Sequence, residues 1–189
     1  MIGKIILLLS IIYLFYKRSD LTAAVAKLIY ARGNAEKGLK WYGIADKIGK
    51  MNFNNRLMYA YLTLKEGDID KASKLFNLIA MEPLKPDQKI RLKSSHALVY
   101  WKRNEIDEAI EMLEEVVSKA PSTSVYGSLG YMYAYNDNLT RALEFNKEAY
   151  EYNSTNAIIV DNLAYTYLKM GDYENARKYY EELLALNPT

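Results

Sequence analysis

Five small residues recur along this chain, Gly38, Ala72, Ala109, Ala142 and Ala176, at spacings of 34, 37, 33 and 34 residues. A period of that length marks one supersecondary unit repeated, and it is the spacing of stacked helical hairpins rather than of a closed globule. A single hairpin cannot bury its apolar face alone, so the chain is expected to fold by letting neighbouring hairpins share one core.

The unit is clearest over 157–189. With Ala157 counted as position 1, Leu163 and Ala164 fill positions 7 and 8, and Tyr167 fills 11. Gly171, Asp172 and Tyr173 follow at 15 to 17, then Ala176 at 20, Tyr180 at 24, Leu183 at 27 and Pro188 at 32. Position 8 is small in every unit: Ala26, Ala60, Ala97, Gly130 and Ala164. The turns read Gly33-Asn34, Gly67-Asp68, Asn104-Glu105, Asp137-Asn138 and Gly171-Asp172. Two departures stand out in the fourth unit. Ser154 stands where proline closes other units, and Asn146 occupies the usually bulky position 24, leaving a gap into which Phe145 is expected to turn.

Small residues at 8 and 20 let two helix backbones approach, while bulky positions interdigitate between neighbours. Glycine at 15 permits the left-handed conformation that ends a helix, and the polar residue at 16 helps start the next. Proline at 32 stops the second helix. One joint is irregular. Glu82-Pro83-Leu84-Lys85-Pro86-Asp87-Gln88-Lys89 adds three residues to the period, and Asp87 is the expected N-cap of a lengthened helix.

These offsets resemble the tetratricopeptide repeat family over roughly residues 19–189, with the weakest match at 19–52. The resemblance implies an all-α, right-handed α-solenoid of about five helix-turn-helix hairpins, placed at about 19–52, 53–86, 90–122, 123–156 and 157–189. It also implies that the first helix of each hairpin lines a concave groove through positions 2, 5, 6, 9, 12 and 13. Carried over, those positions are Asn54, Leu57, Met58, Tyr61 and Lys65 in the second unit, and Arg91, Ser94, Ser95, Leu98, Trp101 and Lys102 in the third. The fourth offers Ser124, Gly127, Ser128, Tyr131 and Tyr135, and the fifth Asp161, Asn162, Tyr165 and Lys169. Tyr61, Tyr131 and Tyr165 share position 9 and are expected to form a row. Small Gly127 and Ser128 beside Tyr131 are expected to leave a pocket. The partner-binding residues selected on this basis are Tyr61, Trp101, Tyr131, Tyr135, Asp161, Asn162 and Tyr165. Tyrosine supplies a rigid apolar surface with a hydrogen-bonding tip, which suits a peptide or helix of another protein. Members that grip a chaperone's C-terminal carboxylate carry Lys, Asn and Arg at positions 5, 6 and 9. Only Asn162 matches that set here, so the clamp is absent.

Residues 1–18 lie outside the repeat. Twelve uncharged residues, Ile5 to Tyr16, are apolar on every side, with Lys4 before them and Lys17 and Arg18 after. A helix without a polar face seeks cover. Sixteen residues make about 24 Å of helix, short of the roughly 30 Å hydrocarbon core, unless lysine and arginine snorkel. Three readings compete: a retained membrane anchor, a helix buried on the first repeat, and a cleaved signal peptide ending near Ala24-Val25-Ala26. The anchor is preferred, built on Ile5, Leu8, Ile12, Phe15, Lys17 and Arg18. Residues 1–50 carry a balance of +6 and residues 51–189 one of −4, which favours repeats on the cytoplasmic side. The alternatives are an exported or secreted repeat protein and a regulatory subunit of a larger membrane complex.

Function classes narrow by composition. With no cysteine there is no disulfide, no thiolate chemistry and no sulfur-ligated metal. The acidic balance beyond residue 50 argues against nucleic acid. His96, the only histidine, falls at a packing position, and the adjacent pairs Glu114-Glu115 and Glu181-Glu182 point in different directions along their helices. Neither a catalytic set nor a cofactor or metal site is expected. Tyr180, Leu183 and Leu184 on the last hairpin are expected to be partly exposed and available for self-association.

Overall fold

The computed structural model describes residues 2–186, and within them the chain is all-helical, ten helices with no strand. They are α1 (Ile2–Ala31), α2 (Ala35–Ile48), α3 (Phe53–Lys65), α4 (Ile69–Ala80), α5 (Pro86–Lys102), α6 (Ile106–Lys119), α7 (Thr123–Tyr135), α8 (Leu139–Tyr152), α9 (Ala157–Lys169) and α10 (Tyr173–Leu186). α1 packs on α2, α3 on α4, α7 on α8 and α9 on α10, and the chain divides into two compact units, residues 1–95 and 96–189. Pro188, expected to close the fifth hairpin, lies outside the described residues.

Every hairpin turn has the left-handed residue its sequence position predicts. Gly33, Gly67 and Gly171 take positive φ of 88°, 94° and 77°, and in the two turns without glycine Asn104 and Asp137 take 63° and 56°. Short polar side chains tolerate that conformation, which explains why the turn survives loss of glycine. The following residue caps the next helix in four of the five turns. Asn34, Asp68, Asn138 and Asp172 accept from the backbone N–H groups of Lys37, Lys71, Arg141 and Asn175. Glu105 makes no such bond. Its longer side chain carries the carboxylate past the N–H it would have to meet.

The irregular joint corrects one expectation. α5 starts at Pro86, not after Asp87, and Gln88 Oε1 accepts from the Lys85 N–H at 3.0 Å. Proline suits the first helical position because its missing N–H would find no partner there. Asp87 lies in the first turn, where its charge complements the helix dipole.

In residues 1–95, α1 runs without a break from the apolar stretch into the first hairpin. Its buried residues Ala23 and Ala26 share a core with Tyr42, Ala45, Met51, Tyr59 and Leu62. Two polar residues stitch it down. Buried Ser19 donates to the Ala45 and Gly49 carbonyls, and Asp20 accepts from the Asn52 backbone and from the Asn52 and Asn55 amides. In residues 96–189 the small positions again sit at the closest approaches, with Ala97, Ala109, Ala142 and Ala164 fully buried.

The structure does not support the spanning anchor. No helix among the described residues is long and apolar enough to cross a membrane. The apolar stretch is cut short by Lys4 on one side and by Lys17, Arg18 and Asp20 on the other. Nor do the cations behave as snorkelling groups. Arg18 Nε donates to the Ile48 carbonyl at 2.8 Å with its guanidinium over the Phe15 ring, and Lys17 lies 3.9 Å from Asp20. Ile5, Leu8, Ile12 and Phe15 are exposed, so the segment is not buried on the first repeat either.

Candidate functional site

An aromatic cluster on the surface lies within residues 96–189. Trp101 closes the last turn of α5, and its ring meets those of Tyr131 and Tyr135 edge-on, at centroid separations of 5.5 and 4.8 Å. Tyr131 and Tyr135 lie one turn apart on α7 and are 43% and 47% exposed. Rings so placed satisfy one another's quadrupoles and still leave a face open. This is a rigid apolar platform.

α9 lies beside α7 in a register fixed by two polar bonds. Asn162 Nδ2 donates to the Gly127 carbonyl at 2.7 Å, and Lys169 Nζ donates to the Ala134 carbonyl at 3.1 Å. That 35-residue offset sets Tyr165 opposite Gly130 and Asp161 opposite Tyr126. Lys169 also pairs with Asp137 and lies 5.9 Å from the Tyr165 ring centre, so its charge is neutralised. Asp161 makes no ion pair among the described residues, and burial of its carboxyl raises its pKa.

Two of the selected features do not serve as expected. Asn162 is buried, its amide spent on Gly127, and it presents nothing to a ligand. The pocket at Gly127 is filled, since a Cβ there would meet Ile158 Cγ2 at 3.0 Å. Trp101, Tyr131 and Tyr135 are brought together, while Asp161 and Tyr165 lie one turn apart on α9, with Tyr165 near Lys169. Tyr61 is 40% exposed on α3, in the other compact unit. In that same unit Leu57 is buried, and Arg91 is occupied by the Asn54 side chain at 2.9 Å and the Phe53 ring.

The gap at Asn146 is also filled, by Asn146 itself. It is fully buried and donates to the Gly130 carbonyl and to Thr166 Oγ1 at 3.2 and 2.9 Å. Phe145 packs instead on Tyr126 and Tyr133. Gly130 makes the arrangement possible, because a Cβ there would stand 2.0 Å from the Asn146 oxygen.

Most tyrosines outside the platform are structural, which the sequence did not reveal. Tyr30, Tyr126, Tyr133 and Tyr150 donate to Glu66, Glu148, Glu114 and Glu182; the bond first at Tyr30 and Tyr150, and burial first at Tyr126 and Tyr133, push each phenol up to about 12. Tyr42 stacks on Tyr59 and Tyr167 on Tyr179, at 5.5 and 5.6 Å. His96 is half-buried beside Tyr100, and burial, with Arg103 nearby, lowers its pKa. In a cleft of residues 1–95 lined by Asp46, Lys50, Arg56, Tyr59 and Glu82, the Glu82 carboxylate accepts from both Arg56 nitrogens at 2.5 and 2.7 Å and meets Lys50 at 3.0 Å. Among the described residues no group of His, Asp and Glu is placed to hold a metal ion.

Comparison with known proteins follows the same units. Residues 95–157 and 157–189 match family models described as the tetratricopeptide repeat. The chain is 28% identical over 177 residues to cellulose synthase operon protein C of Pseudomonas fluorescens (strain SBW25), covering 85% of this chain. It spans only 14% of that relative's length. Among solved structures, residues 41 to the end of MamA from Desulfovibrio magneticus RS-1 superpose with a TM-score of 0.70 at 19% identity, covering 90% of this chain and 95% of that one. TPR-like repeats from Podosopora anserina give 0.73 at 17% identity, covering 90% and 94%. At such identities the likeness shows the fold alone.

Proposed function

Because this chain belongs to the tetratricopeptide repeat family, in which stacked helical hairpins serve as scaffolds for other proteins, we propose that it holds a segment of a partner protein on the platform of residues 96–189. The observation that carries this reading is the Trp101–Tyr131–Tyr135 cluster. Three large rings are fixed against one another and left half-open to solvent, although the neighbouring tyrosines are drawn into the core or onto glutamates. Rigid aromatic surface binds at low entropic cost, since little side-chain freedom remains to be lost. Tyr165 extends the surface onto α9. The role is non-catalytic: the platform has one carboxylate and a neutralised lysine, and no nucleophile is paired with a base.

A photo-crosslinking residue at Tyr131, with one at exposed Tyr173 as control, tests the reading in the cell of origin. The platform position is expected to capture a discrete protein that the control does not. Changing Tyr135→Ala and Tyr165→Ala together is expected to abolish capture with the far-ultraviolet circular dichroism unchanged. Equal capture from both positions, or capture that survives the double change, overturns it.

A further inference from the structure

We infer that the outer part of α1 enters the acyl layer of an anionic membrane without crossing it, and that cations at its base hold the lipid headgroups. The inference is independent of the aromatic platform and concerns residues 1–95 alone. The helix itself argues for lipid rather than protein as its cover. Every residue from Ile5 to Tyr16 is exposed, the large apolar ones at 50–77%. Such a stretch makes about three turns, so its apolar surface runs round the whole circumference. A protein groove or a second copy of the helix covers one face and leaves the opposite one in water. Acyl chains cover every face at once. The stretch is about 18 Å long, against roughly 15 Å for the acyl half of a bilayer, so it fits one leaflet and falls short of crossing two. Lys4 at its outer end is exposed, and an ammonium is costly at depth, which keeps that end near the headgroups and the helix oblique.

The base of the stretch supplies the second observation. Arg18 and Ser19 donate to the carbonyls of Ile48, Ala45 and Gly49, which brings the C-terminal end of α2 to the point where α1 leaves the core. A recess of about 610 Å³ opens there, and its lining joins apolar Ile12, Phe15 and Tyr16 to the cations Lys17, Arg18, Lys50 and Arg56. Asp20 is the acid in that lining, and its Oδ1 already accepts from Asn52 and Asn55. Glu82 pairs with Lys50 and Arg56, so cations still outnumber carboxylates. Backbone carbonyls hold Arg18, fixing its guanidinium without neutralising it. Lys47, exposed in the last turn of α2, makes no ion pair among the described residues. A phosphate-bearing headgroup suits a recess of this size and sign, and an apolar helix beside it suits the attached chains.

The chain has no cysteine, so Ile12→Cys can carry a single environment-sensitive NBD fluorophore. Vesicles of phosphatidylcholine mixed with phosphatidylglycerol are expected to float the full chain and shift the NBD emission to the blue. Vesicles of phosphatidylcholine alone should do so only weakly. Leu8→Glu with Ile12→Glu is expected to abolish flotation while circular dichroism holds. Lys17→Gln with Lys50→Gln is expected to weaken binding to the mixed vesicles about tenfold and to leave the weak binding to phosphatidylcholine unchanged. No flotation, equal flotation on both vesicles, or indifference to either pair of changes overturns the inference. A blue shift that grows with protein concentration in the absence of vesicles puts a second copy on the helix and overturns it as well. For the bound chain, dithionite added outside should bleach NBD on Ile5→Cys completely. A protected fraction means that the helix crosses, which sinks the one-leaflet placement.

Discussion

A methyl group placed on Gly38 would stand 2.8 Å from Tyr30 Cβ and 3.0 Å from the Tyr30 backbone, closer than packed atoms tolerate. Two effects oppose each other at this position. Alanine in a helix interior is worth about 1 kcal/mol over glycine, while overpacking a tight contact costs about 1–3 kcal/mol. Backbone atoms are part of the clash and cannot swing aside, so the second effect wins. Gly38→Ala is expected to destabilise the protein by about 1–2 kcal/mol in urea, and unchanged or raised stability would show that α1 yields. The equivalent residue is alanine in the other four hairpins, so the sequence exposed the need for a small residue without telling glycine from alanine. That distinction depends on how closely one pair of helices approaches. Asn146 shows the same limit. Its polarity looked like a packing defect, and only the carbonyl of Gly130 and the hydroxyl of Thr166 turn it into a buried tie between three helices.

At the scale of elements the repeat made nearly everything legible, because turn chemistry is local. The five left-handed residues and four side-chain caps fall where the period places them. What escaped were contacts distant in sequence, such as Ser19 and Asp20 holding α1 against the carbonyls and amides of residues 45–55. The length of α1 was also hidden, since the apolar stretch and the first hairpin look like separate segments until one helix joins them. Its outer part presents Ile5, Leu8, Ile12 and Phe15 to solvent at 50–67% exposure. Contiguous apolar surface of that kind draws in other apolar groups. Leu8→Glu with Ile12→Glu is accordingly expected to lower binding of an apolar dye such as ANS several-fold. Helicity and the thermal midpoint of the hairpins should hold, because neither residue touches the core around Tyr42. Undiminished dye binding would place the sticky surface elsewhere.

Across the whole molecule the two compact units each contain one tryptophan, Trp41 and Trp101, so their stabilities are separable by fluorescence. Repeat proteins distribute stability over neighbouring contacts, which keeps a local charge effect within its own unit. Glu82 supplies such an effect in residues 1–95. Its hydrogen bonds from Arg56 act against desolvation and, with Lys50 adding to them, bring its pKa from 4.5 to about 2. A folded-state pKa below the unfolded one means that the unfolded chain binds the proton first. The stabilisation is therefore complete above pH 4.5 and is lost as the pH falls towards 2. Asp161, in the other unit, has the opposite sign, since burial raises its pKa and protonation relieves it. Glu82→Gln should cost about 1 kcal/mol at neutral pH, as for a well-formed but partly exposed ion pair, and progressively less in acid. In a Trp101→Phe background, where Trp41 alone reports, the urea midpoint should drop at neutral pH and converge with the parent near pH 2. In a Trp41→Phe background the Trp101 midpoint should stay within error of the parent at every pH. An equal shift in both backgrounds would mean that the units unfold as one and that the nearest-neighbour description fails for this chain.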